Sequence, residues 1–135
     1  MMNFIYFGLL LILVHCSTVE KVRRTDFFEK EESLIFNKAT STSDPNVRID
    51  VCGNPIHFDK YCNKKFRCNK RNKLAKYGWE IDHIKPIKRG GGNELKNLQP
   101  LQWLVNKHKG KKWPITPKEY CSKIKSIFYK TFASE

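Results

Sequence analysis

The chain has 135 residues, enough for one domain with a modest core, and its 40% hydrophobic share with 7 Gly and 6 Pro excludes collagen, a coiled coil and wholesale disorder. Charge is uneven: residues 47–135 carry 21 Lys+Arg against 7 Asp+Glu, a net of +14, whereas residues 17–46 carry 5 against 6. The basic part predicts a polyanionic partner, nucleic acid or anionic lipid, and indicates nothing about chemistry.

Residues 1–16 contain no Asp, Glu, Lys or Arg, and residues 4–14 are an apolar run. Eleven residues are too few for a helix that crosses a bilayer but suit the hydrophobic region of a signal peptide. We therefore predict a signal peptide over 1–16, a secreted protein, and no stable membrane association after its removal. An uncleaved anchor and lipidation at Cys16 remain alternatives.

Four cysteines follow the predicted signal peptide, which is an even number in a small exported domain. They predict two disulfides in any of three pairings. A zinc site is disfavoured because no CxxC pair occurs. The candidates are Cys52, Cys62, Cys68 and Cys121.

The N-terminal segment predicts one helix and a linker. Asp26 resembles an N-cap, and a helix over about 27–37 would bury Phe28, Leu34 and Ile35. Residues 39–46 have the Ser/Thr/Pro composition of a linker. We therefore divide the chain into 17–46, a helix and linker, and 47–135, one domain.

Alternating apolar residues from Val47 predict a strand over 47–51, and Gly53-Asn54-Pro55 predicts a turn into a returning strand over 56–58. Residues 59–76 form a predicted basic loop. A strand over 77–84 stops before Pro86, a Gly-rich loop spans 90–93, and residues 97–99 pair back as a short strand.

Two helices are predicted near the C-terminus. Pro100 would begin the first and Gly110 end it, with Leu101, Leu104 and Val105 facing the core and Asn106 and Lys109 turned away from it. The second begins with a Thr116–Glu119 capping box and carries an apolar stripe. That stripe consists of Tyr120, Ile124, Ile127 and Phe128.

Phosphodiester hydrolysis needs a base for the attacking water and a cation for the phosphate and the leaving oxygen. A histidine near its working pH range suits the first task, and carboxylate or amide oxygens suit Mg²⁺ or Mn²⁺. One 25-residue stretch supplies this set as Asp82, His83, Asn97 and Asn106.

The stretch that carries these residues, YGWEIDHIKPIKRGGGNELKNLQPLQWLVNKHKG, resembles the HNH endonuclease family, also called the ββα-metal fold. The resemblance is strong over 77–112 and weak over 47–76. It implies an α+β fold: a small ββα-metal core with an N-terminal hairpin and flanking helices, stapled by disulfides. It also implies that His83 is the general base, that Asp82 and Asn106 hold the metal, and that Asn97 bonds across the hairpin loop to fix His83.

The resemblance further implies one divalent cation, Mg²⁺ or Mn²⁺, and no structural zinc, because Gln102 and Val105 stand where many members have cysteines. Neighbours on a regular strand point to opposite faces, so we predict an irregular backbone near 82–84. Predicted nucleic-acid contacts are Lys85, Lys88, Arg89, Lys107 and Lys109. We expect a secreted endonuclease acting on DNA, or on RNA, with little sequence preference; the alternative is an inactive cationic protein that binds nucleic acid or is antimicrobial.

Overall fold

The computed structural model describes residues 31–63, 65–124 and 131–132. The predicted signal peptide, Asp26, Phe28, Ile127 and Phe128 lie outside this part of the chain. The elements are helix α1 over 31–36, β1 (Thr40–Ser41), β2 (Val47–Ile49), β3 (Pro55–His57), β4 (Trp79–His83), β5 (Leu98–Gln102), α2 (Trp103–Lys109) and α3 (Pro117–Ser122). The fold therefore mixes short strands and short helices, as predicted.

The N-terminal hairpin is confirmed. β2 and β3 pair antiparallel with Val47 opposite His57 and Ile49 opposite Pro55. β1 adds a third strand beside β2. Residues 39–46 were predicted to be a linker, but they contain β1 and a turn in which Thr42 Oγ1 accepts from Asp44 N. Local side-chain bonds therefore order this polar segment.

One core cluster joins α1 to both sheets. It contains Ile35, Phe36, Ile56, Trp79 and Leu98. Leu34 was predicted to be buried with Ile35, but its side chain is 48% exposed. Since Ile35 and Phe36 pack against residues of β3, β4 and β5, the described N-terminal residues belong to the same packed unit as the rest of the fold.

A second sheet carries the residues of the resemblance. β4 and β5 pair antiparallel from Trp79 opposite Gln102 to His83 opposite Leu98. Pro100 was predicted to begin a helix, but it lies within β5 opposite Ile81. Both strands of a two-stranded sheet are edge strands, where proline is tolerated. The helix α2 begins at Trp103 because the Gln102 side chain accepts from Leu104 N and Val105 N, and Gly110 ends it with φ 56°.

Asp50 connects the hairpin to the start of α2. Its buried carboxylate accepts from Cys52 N at 2.9 Å, from Asn54 N at 2.8 Å and from Gln102 N at 3.0 Å. Burial raises the pKa of Asp50, although these hydrogen bonds act in the opposite direction. The carboxylate thereby fixes the hairpin turn against the position where β5 becomes α2.

The structure contains two disulfides, as predicted, and selects one of the three pairings. Cys52–Cys121 links the hairpin turn to α3, and Cys62–Cys68 closes the basic loop. The capping box of α3 is confirmed, with Thr116 and Glu119 bonded reciprocally. No helix among the described residues is long and apolar enough to cross a membrane.

Candidate active site

Three of the predicted site residues line one pocket where β4 ends beside α2. Asp82 and His83 close the strand, and Asn106 lies on the helix. The remaining lining residues come from β4 itself, from the turn after it and from the two positions that follow α2. They are Ile81, Pro86, Ile87, Lys88, Gly110 and Lys111. A carboxylate, an imidazole and a side-chain amide therefore meet at the junction of hairpin and helix.

Asp82 is held from two sides. Its Oδ1 accepts from Lys109 Nζ at 2.9 Å and its Oδ2 accepts from Gln99 Nε2 at 2.8 Å. The residue is only 4% exposed. A buried carboxylate needs hydrogen-bonding partners of this kind. Each Asp82 oxygen keeps a further lone pair that could bind a cation.

Lys109 was predicted to face away from the core and to contact nucleic acid, and the predicted orientation is wrong. It is 1% exposed, and its ammonium also donates to the backbone oxygen of His83 at 2.7 Å. The ammonium lies against the Asp82 carboxylate rather than in solvent because that carboxylate compensates its burial. Lys109 therefore holds Asp82 from the interior of the protein and is not exposed for contact with nucleic acid.

The predicted irregularity near 82–84 is wrong for the first two of these residues. The ladder continues in register through Asp82 opposite Gln99 and His83 opposite Leu98, and the bend begins at Ile84. Successive side chains on β4 therefore point to opposite faces. Both residues still line the pocket because the strand ends there.

The His83 ring is oriented by Asn93, a residue of the Gly-rich loop. His83 Nε2 lies 2.9 Å from Asn93 Oδ1. An amide oxygen only accepts hydrogen bonds, so the contact fits the tautomer that carries its hydrogen on Nε2, in which Nδ1 is the basic nitrogen. From the sequence, Asn93 was predicted only to be a residue of the Gly-rich loop, because no spacing pattern indicated a contact with His83.

Asn97 bonds across the loop, but its partners are backbone groups rather than His83. Its side chain accepts from Lys85 N at 2.8 Å and donates to Lys85 O at 3.0 Å and Gly92 O at 2.8 Å. A Cβ on Gly91 would lie 1.8 Å from Lys85 O, so only glycine fits this crossing. Asn97 thus positions the loop that presents Asn93.

Asn106 is oriented by Glu80, which sequence analysis also missed. Asn106 Nδ2 donates to Glu80 Oε2 at 2.7 Å, and Glu80 lies on the same face of β4 as Asp82 because the two are separated by two positions. Because Nδ2 donates to Glu80, the orientation of the amide is fixed, and its Oδ1 is the atom that could bind a cation. Alternation along β4 is the signal that could have revealed this contact.

The donor set fits a hard cation. One carboxylate and one amide oxygen leave most of an octahedron to water and phosphate oxygens, as Mg²⁺ sites usually do. Among the described residues, no three His, Cys, Asp or Glu side chains are grouped as a metal site. A site built from these residues therefore depends on Asp82, Asn106 and ligands supplied by solvent and substrate.

The predicted phosphate contacts differ in exposure, and Lys88 is the one among them that lines this pocket. Lys88, Arg89 and Lys107 are exposed and Lys85 is half-buried. Lys88 also lines the pocket together with Lys111, which sequence analysis did not select. The sequence shows several lysines after α2 but not which of them turns toward the site.

Comparison with known proteins agrees with this geometry at the level of the family. No curated protein and no solved structure matches the chain. The matched segment of the family comparison contains the hairpin turn, both strands β4 and β5, and α2. Residues 50–112, with Asp82, His83, Asn97 and Asn106 among them, match the model of the HNH endonuclease family.

Proposed function

We propose that the protein is a secreted, metal-dependent endonuclease that hydrolyses phosphodiester bonds of nucleic acid, preferring DNA and with little sequence specificity. The observation that carries the proposal is the shared pocket of Asp82, His83 and Asn106 within the segment that matches the HNH endonuclease model. A general base and two oxygen ligands at one pocket are the groups that phosphodiester hydrolysis requires.

In this proposal His83 is the general base. Its Nδ1 accepts a proton from the attacking water while Nε2–H remains bonded to Asn93. The imidazolium that forms keeps the same orientation because Asn93 is carried by the loop that Asn97 braces. His83 thus acts from a fixed ring position, which is the condition for efficient proton transfer.

Asp82 and Asn106 would hold the cation. When bound, Mg²⁺ or Mn²⁺ would stabilise negative charge on the phosphate and on the departing oxygen. Lys109 and Gln99 fix the Asp82 carboxylate, and Glu80 fixes the Asn106 amide. The protein's contribution is therefore two oriented oxygen donors next to the base.

The substrate class follows from charge. Residues 47–135 carry a net +14, and Lys88, Arg89 and Lys107 are exposed, so a polyanionic backbone is attracted to this part of the molecule. Export is proposed from the apolar run over 4–14, and two disulfides suit an oxidising compartment.

The test is cleavage of supercoiled plasmid by the secreted chain with Mg²⁺, with Mn²⁺ and with EDTA. We expect cleavage with metal and none with EDTA. His83→Ala should lower the rate by about 100-fold or more, the size of a lost general base. His57→Ala on β3 is the matched control and should cleave like the parent protein. Cleavage that persists in EDTA and in His83→Ala would contradict the mechanism, and binding without cleavage in every sample would favour the inactive cationic protein.

A further inference from the structure

Two lysines from different elements meet at the edge of the pocket that holds Asp82, His83 and Asn106. Lys88 lies in the turn Ile87–Arg89 after β4, and Lys111 follows α2 directly after Gly110. Both side chains are exposed. The neighbouring Lys88 ammonium lowers the pKa of Lys111, first through a side-chain contact and then through charge repulsion.

Two adjacent ammonium groups repel each other, and exposed lysines can normally turn apart into solvent. Asp82, the one acidic residue that lines the pocket, pairs with Lys109 and would hold the cation, so the pocket has no second carboxylate to compensate the two lysines. An anion between the two ammonium groups would replace the repulsion with two attractions. The two ammonium groups could therefore serve as an anion site at this pocket.

We propose that Lys88 and Lys111 together bind one phosphate group of the nucleic-acid strand being cleaved, as a two-lysine clamp. The inference rests on the proposed function, since it places the substrate backbone relative to His83. Lysine serves phosphate as a compact point charge, which allows two of them to share one phosphate without the planar geometry that arginine needs.

Two lysines that share one phosphate should respond to single and double substitution differently from two lysines that act independently. If both ammonium groups contact the same phosphate, removing either one loses most of the affinity that the pair contributes. Removing the second then causes little further loss of affinity. Two lysines on separate phosphates would instead have additive effects, as distant sites do. Non-additivity is therefore the signature of the clamp.

The experiment measures binding of a fluorescent 20-base-pair duplex in EDTA, so that no cleavage occurs. The variants are Lys88→Gln, Lys111→Gln and the double substitution, with Lys118→Gln as the matched control because Lys118 is exposed and lines a different pocket near Cys121. We expect each single variant to weaken Kd about tenfold, the size of a lost charged hydrogen bond. The double variant should raise Kd by a factor far smaller than the product of the two single-variant factors. The control should raise Kd by less than about twofold.

The salt dependence provides a second readout. The slope of log K against log salt should become shallower by about one in the double variant, as for the loss of one phosphate contact. In addition, NMR titration of the lysine ammonium signals should show the pKa of Lys111 rising toward the ordinary 10.5 in Lys88→Gln.

Additive losses, or losses no larger than that of Lys118→Gln, would overturn the clamp. An unchanged Lys111 titration in Lys88→Gln would overturn the contact between the two lysines. Failure of the proposed function is distinguishable, because in that case the parent protein itself would not bind the duplex or would not cleave plasmid with metal.

Discussion

Asp82 and Lys109 form a buried ion pair directly behind the pocket. The side chains are 5% and 1% exposed, and their atoms are 2.9 Å apart. Such a pair does not have to stabilise the fold, but removing one partner leaves the other charge buried alone. Removing either partner should therefore change both the stability of the fold and the position of the carboxylate that would hold the metal.

We predict that Lys109→Met lowers the free energy of unfolding by about 3–5 kcal/mol, the usual cost of leaving a buried charge unpaired. Lys107→Met, an exposed position on the same helix, is the control and should change it by less than about 0.5 kcal/mol. Urea denaturation measures both. Equal effects of the two substitutions would show that Lys109 is not the partner of a buried charge.

Asn93 gives a prediction for catalysis. Asn93→Ala should lower kcat about 10- to 100-fold, the range for losing a partner that orients an active-site histidine. Asn93→Asp should instead move the acidic limb of the pH–rate profile to higher pH, because a carboxylate favours the protonated imidazolium. A pH–rate profile that is identical in both variants and the parent protein would remove Asn93 from the mechanism.

At the scale of residues, the sequence predicted three side chains that the fold brings to one pocket, but not the hydrogen-bond partners that orient them. Asp82, His83 and Asn106 follow from an ordered motif. Asn93 and Glu80 do not, because their roles depend on which way a loop and a strand face. The predicted orientation of Lys109 was wrong. Helical spacing shows which residues share a face of α2, but it cannot show that the Asp82 carboxylate of β4 lies against that face.

The elements that frame the site are short, and their ends are fixed by side chains. Gln102 begins α2, Thr116 begins α3, and Asn97 holds the loop between β4 and β5. Capping and turn residues are readable from sequence, so the start of α3 and the end of α2 were predicted correctly. Pro100 was misinterpreted because proline suits both a first helical position and an edge strand.

The capping box of α3 predicts a pH dependence. Hydrogen bonds from the backbone and side chain of Thr116 lower the pKa of Glu119 from its ordinary 4.5. A lowered folded-state pKa means that the stabilisation is fully present above pH 4.5 and is lost as the pH falls through the lowered value.

Glu119→Gln should accordingly lower the melting temperature at neutral pH, and the difference from the parent protein should vanish at acidic pH. Glu94→Gln is the control, since Glu94 makes no capping hydrogen bond with its side chain. Thermal melts from pH 2 to 7 measure this. A difference that is constant over the whole range would exclude the carboxylate bonds as its source.

On the scale of the whole molecule, one disulfide joins distant parts of the chain and the other closes a short loop. Cys52–Cys121 spans 69 positions and ties the hairpin to α3, whereas Cys62–Cys68 spans 6. The sequence predicted the number of bridges but not the pairing, because pairing depends on which loops the fold brings together.

We predict that replacing both Cys52 and Cys121 with Ala lowers the free energy of unfolding by about 4 kcal/mol, and that replacing Cys62 and Cys68 lowers it by about 2 kcal/mol, as loop-closure entropy requires. Denaturant titration of the two double variants measures the order. A larger loss from the short bridge would show that local strain or packing, rather than chain entropy, dominates.

The central claim is that Asp82, Asn106 and His83 serve one cation and one scissile phosphate. Its most direct test is Mn²⁺ titration by electron paramagnetic resonance of the parent protein, Asn106→Ala and His83→Ala, with plasmid cleavage measured on the same samples. We predict that His83→Ala binds Mn²⁺ like the parent protein but does not cleave, and that Asn106→Ala loses both. Equal Mn²⁺ binding by the parent protein and Asn106→Ala, or cleavage by His83→Ala at the parent rate, would contradict the account.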